Sequence, residues 1–73
     1  MKILLYSENG TLKAEFFSQT AEKFILLIIE KTKQIKLKSG EKAFEYTEKE
    51  AFGIGADSMF TIFIRKGDFF TIE

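Results

Sequence analysis

The chain contains no cysteine, histidine, tryptophan or proline. Without cysteine there is no disulfide, no thiolate nucleophile and no thiolate metal ligand. Without histidine there is no imidazole base and no histidine ligand. Net charge is absent too: eleven Lys+Arg balance eleven Asp+Glu, whereas small nucleic-acid binders are usually strongly basic. Long hydrophobic runs are missing. The longest unbroken apolar stretch, Phe24 to Ile29, falls far short of the ~20 residues a membrane span needs. Met1-Lys2-Ile3-Leu4-Leu5-Tyr6 starts like a signal peptide, but Ser7, Glu8, Asn9 and Gly10 stop it before an apolar region develops. A soluble cytoplasmic protein with no membrane span is therefore expected.

What is present is bulky and apolar. Nine Ile, six Leu, two Met and nine Phe stand among 73 residues, which form one small globular domain over 1–73. A folded monomer of this mass exposes roughly 4,600 Å² and buries only about 60% of the unfolded chain's surface. Such a domain is marginal and has no disulfide to help it. Dense aromatic packing and association with another chain are the two remedies left. Part of the apolar complement is expected on a second face, against an identical subunit or another protein.

Turn signals recur about every ten residues, the pattern of many short strands. Lys2 to Ser7 is a strand, Glu8-Asn9-Gly10 a tight hairpin turn, and Thr11 to Ser18 the return strand. Thr20 to Thr32 is ambiguous. As a helix it would place Leu26 between Glu22 and Glu30 and Leu27 between Lys23 and Lys31, and no capping box precedes it. The β-branched run around Phe24 favours a strand. Gln34 to Lys38 and Lys42 to Thr47 make a second hairpin around Ser39-Gly40. Thr47-Glu48-Lys49-Glu50 has the form of a capping box, so a short helix is expected over 48–52, ended by Gly53 or Gly55 and followed by a loop through Ser58. Met59 to Arg65 and Phe69 to Ile72 are the last strands, on either side of Lys66-Gly67-Asp68.

These elements predict a mainly β fold: a small barrel or compact sandwich of six to seven short antiparallel strands with one short helix near 48–52. The alternative is an α+β fold with a helix at about 20–32 packed on an antiparallel sheet.

Four features bear on function. The segment 30–42 holds Lys31, Lys33, Lys36, Lys38 and Lys42 against Glu30 and Glu41, a local charge of +3. Such a cluster can neutralise phosphates of a nucleic acid, or it can guard a sheet edge against pairing. Alternation along the strands puts Phe17, Phe63 and Phe69 on outward faces with Met59 nearby. Aromatic residues and Met are enriched at protein interfaces, so Phe17, Met59, Phe63 and Phe69 form the expected interface. Gly53-Ile54-Gly55 holds only two glycines of a nucleotide loop and follows no strand that feeds a helix, so cap and loop glycines explain it better. The carboxylates Glu45, Glu48, Glu50 and Asp57 show no catalytic or calcium-binding spacing. Ser7, Ser18, Ser39 and Ser58 all stand at turn signals with no histidine to activate them.

The expectation is a non-catalytic module with no cofactor and no metal. It binds a second copy or another protein through an apolar aromatic sheet face. The alternative is a small nucleic-acid-binding β barrel that uses the lysine-rich hairpin.

Overall fold

The computed structural model describes residues 1–50, 52–57 and 60–73. In chain order the elements are β1 (Lys2–Tyr6), β2 (Leu12–Phe17), α1 (Ser18–Ile28) with a 3-10 turn (Ile29–Lys31), β3 (Thr32–Lys36), β4 (Lys42–Tyr46), β5 (Phe52–Asp57), β6 (Phe60–Ile64) and β7 (Phe69–Ile72). No described helix is long and apolar enough to cross a membrane.

The two hairpins are built by the same local chemistry. In the first, the Ser7 N–H donates to the Thr11 carbonyl (2.8 Å) and the Gly10 N–H to the Ser7 carbonyl (2.9 Å). In the second, Leu37 donates to Glu41 (2.8 Å) and Gly40 to Leu37 (3.0 Å). Gly10 and Gly40 have φ of 88° and 84°, a region that costs an L residue roughly 1–2 kcal/mol. Each is therefore a three-residue loop closed by a left-handed glycine. Asn9 does not share the positive φ; its side-chain oxygen accepts from the Thr11 N–H (3.1 Å) and from the Ser7 hydroxyl.

Five strands form one antiparallel sheet in the order β2-β1-β7-β4-β3, and β5 and β6 form a separate two-stranded ribbon. The mainly β expectation holds, with seven strands among the described residues. The sheet has β2 and β3 as its two edges, and α1 and the ribbon lie over one face of it. Ile3, Leu5, Phe16, Tyr46 and Phe70 point inward from the sheet, and Ala21, Phe24 and Ile28 from α1 meet them with Ile64 of β6. Four rings run through this core in contact. Phe16 stacks on Phe24 (5.0 Å between centroids), Phe24 meets Phe70 edge-on (4.9 Å), and Phe70 stacks on Phe44 (5.2 Å). They link β2, α1, β7 and β4.

Three expectations are corrected. The segment 20–32 was expected as a strand, but Ser18–Ile28 is helical. The helical signal lies in Ala21, Phe24, Ile25 and Ile28, spaced three, four and seven apart. They cover the sheet, while Leu26 and Leu27 stay exposed among charges. The capping-box helix over 48–52 does not form. Thr47 directs both its N–H (3.1 Å) and its hydroxyl (2.8 Å) to the Lys31 carbonyl, which ties it to the 3-10 turn. The expected loop from Gly53 is instead β5, paired with β6 from Phe52↔Ile64 to Asp57↔Phe60.

Phe24 touches two of the other three rings, so its loss should be felt throughout. Phe24→Ala is expected to cost about 3–5 kcal/mol. That is comparable to the ~4–11 kcal/mol total stability of a chain this long. Urea denaturation should find the variant unfolded or close to it, whereas Leu27→Ala, on the exposed side of α1, should change stability by less than about 0.5 kcal/mol.

Candidate functional site

The face of the sheet away from α1 is the candidate site. Residues directly opposite across a ladder share a face, so the register lays this face out in three rows. The first runs Phe17, Lys2 and Glu73, the second Glu15, Leu4 and Thr71, and the third Tyr6, Phe69, Glu45 and Lys33. Ala43 and Ile35, paired with each other, continue the second row. The centre is apolar: Tyr6 stacks on Phe69 at 5.1 Å, and Leu4 lies one pleat away. The margins are charged and partly self-neutralised. Lys2 pairs with Glu73 (3.6 Å) and lies 5.8 Å from the Phe17 ring centre, and Lys33 pairs with Glu45 (3.8 Å).

The face is not flat. β4 and β7 pair at Phe44↔Phe70 and Glu45↔Phe69, and the join continues through Tyr46, whose N–H donates to the Asp68 carbonyl (2.8 Å) and whose carbonyl accepts from the Gly67 N–H (3.1 Å). Toward the Gly40 end the strands part and leave a groove of about 650 Å³, lined by Leu4, Tyr6 and Thr71 on one side and Gly40, Glu41 and Lys42 on the other.

Of the four expected interface residues, Phe17 and Phe69 share this face. They stand at opposite corners of β1, roughly 13 Å apart along the strands and 10 Å across them. Phe69 is half-buried against Tyr6, while Phe17 is exposed. Phe63 is exposed but belongs to the ribbon, whose Ile62 and Ile64 face the core from the other side. Met59 lies outside the described residues. Leu4 and Tyr6 were missed; alternation from the buried Ile3 and Leu5 places them on this face.

The lysines do not gather on one surface. Lys33 is on the outer face, Lys36 and Lys42 face each other across β3 and β4 on the α1 side, Lys38 is in the hairpin loop, and Lys31 is in the 3-10 turn. Among the described residues no three acidic side chains converge as a metal site.

Two polar groups brace the fold beside this face. The buried Asp68 carboxylate accepts from the Lys13 ammonium (2.7 Å) and the Arg65 N–H (2.9 Å), and Lys13 also donates to the Phe63 carbonyl (2.7 Å). This ties β2 to the turn between β6 and β7. The buried Tyr46 hydroxyl donates to the Glu50 carbonyl (2.9 Å). Burial, then the charges of Glu48 and Glu50, raise its pKa above the ordinary 10.0.

No family of known proteins, no curated protein and no solved structure matches the chain.

Two outcomes are expected. Asp68→Asn should lower stability by on the order of 2 kcal/mol, because the Lys13 ammonium loses its charged partner in a mostly buried setting; thermal unfolding measures it. For Tyr46 the fold holds the neutral phenol, so its contribution is complete below about pH 10. Above that the unfolded chain releases the proton first, and stability falls until pH passes the raised folded value. Urea titrations at pH 9 and 11 should show a larger loss for the wild type than for Tyr46→Phe, which is weaker by about 1 kcal/mol at pH 9.

Proposed function

We propose that this chain is a non-catalytic cytoplasmic module that self-associates through the outer face of its five-stranded sheet. One observation carries this. Phe17 ends β2 at the position that caps α1, yet it makes no side-chain cap and its ring is exposed on the outer face. A cap position prefers Ser, Asp, Asn or Thr by about 1 kcal/mol. A large ring held in water at such a place is a local inconsistency of the kind that functional sites carry.

The arrangement favours a second copy as the partner. β7 is the central strand of the sheet. A two-fold axis along it lays β2 of one copy over β3 and β4 of the other. Phe17 of each copy then lies over the partner's groove beside Gly40, Glu41 and Lys42, and the Tyr6 and Phe69 rings meet at the centre. Edge charges are complementary, with Glu15 on β2 and Lys33 on β3. The molecule exposes 5204 Å² against the roughly 4,600 Å² of a compact monomer of its mass. Another protein with an aromatic ring for the same groove is the remaining kind of partner. The scattered lysines lend the nucleic-acid reading no comparable support.

Size-exclusion chromatography with light scattering tests this. The wild type should run as a dimer and Phe17→Asp as a monomer that unfolds no more easily, since Asp suits the cap. Phe63→Glu, on the ribbon, should remain a dimer. A monomeric wild type at hundreds of micromolar, or a dimer that survives Phe17→Asp, would refute the reading.

A further inference from the structure

The α1 side of the sheet carries a second hollow. It is an apolar slot of about 310 Å³ between the end of α1 and the seam of the sheet, walled by Ile25, Ile28, Phe44 and Phe70, with Gln34 and the exposed Ile72 at its rim. It arises where β4 and β7 part, on the opposite face from the groove. Few side-chain polar groups line it, so it has little to hold water with. At about 30 Å³ per small group it accommodates a chain of on the order of ten methylenes.

What lies at its mouth gives the slot a polarity. On the α1 side of the β3–β4 hairpin, paired residues succeed one another as Thr32/Tyr46, Gln34/Phe44 and Lys36/Lys42. The Gln34/Phe44 pair forms the slot wall. One pleat further out, roughly 7 Å along the strands, Lys36 and Lys42 stand directly opposite each other, and a shallow hollow joins them to Gln34. Neither lysine has an ion-pair partner among the described residues. Like charges directly across a ladder destabilise a sheet, and an anion seated between them would reverse the sign of that interaction.

We propose that the slot binds an anionic single-chain amphiphile, a medium-chain fatty carboxylate. Its hydrocarbon enters between α1 and the β4–β7 seam, and its carboxylate lies between Lys36 and Lys42 with the Gln34 amide beside it. Apolar walls supply the affinity and the lysine pair sets the orientation. The slot opens on the opposite face from the groove, and Lys42 and Ile72 border both.

The test is titration of the full chain, isotope-labelled at methyl groups, with sodium decanoate, decanol and decyltrimethylammonium below their micellar concentrations. Methyl shifts should centre on Ile25 and Ile28, and affinity should fall in that order of ligands. The exposed substitutions Lys36→Gln and Lys42→Gln together should weaken decanoate about tenfold or more at low salt and leave decanol unchanged. Dispersed spectra of this variant would show that it is folded. Equal affinity for the three ligands, no saturable shifts with decanoate, or shifts centred on Leu4 and the outer face would each overturn the proposal.

Discussion

The contact between Phe44 and Phe70 lies at the join between the β3–β4 hairpin and the rest of the sheet. β1 and β7 share four register pairs, whereas β4 and β7 share two. The β4–β7 ladder continues through Tyr46, which donates to the Asp68 carbonyl (2.8 Å) and accepts from the Gly67 N–H (3.1 Å), and it joins the N-terminal hairpin with β7 to the β3–β4 hairpin. The stacked rings of Phe44 and Phe70 close it on the inner side, and Phe24 and Phe16 extend the contact to α1 and β2. Aromatic pairs add about 0.5–1.5 kcal/mol each beyond the area they bury. For a chain with a small core and no cross-links this is a large share of what is available.

The same join shapes the surface. Where β4 and β7 part, each face of the sheet gains a hollow, the groove beside Thr71 on one side and the slot beside Phe44 on the other, and Ile72 borders both. The proposed contact, the proposed ligand slot and the join of the two hairpins therefore meet at one place. A longer β4–β7 ladder would make a firmer sheet and would close both hollows.

Much of the β architecture is legible in the residues. Gly10 and Gly40 mark the hairpins because only a residue without a side chain takes their backbone conformation at low cost. Alternation turns Phe17, Phe63 and Phe69 outward, and Phe17 and Phe63 are exposed. The helix was less legible. Phe24 to Ile29 is apolar on consecutive positions and rich in β-branched residues, and only tertiary burial of Ala21, Phe24 and Ile28 selects the helical period. The capping box misled for a related reason. Thr47 is held by the Lys31 carbonyl, a partner distant in sequence that the local pattern does not show. The outer face was half visible: alternation turns Phe17 and Phe69 outward, but that Phe63 belongs to another layer depends on β6 pairing with β5 and not with β7.

The proposed dimer turns on Phe17 of one copy meeting the groove of another. Isotope-filtered nuclear Overhauser spectroscopy on an equal mixture of labelled and unlabelled chains measures that contact directly. Transfer between the Phe17 ring of one chain and Ile72 or the Gly40–Lys42 segment of the other is the predicted result. Intermolecular transfer confined to Phe63 and the ribbon, with none from Phe17, would contradict it.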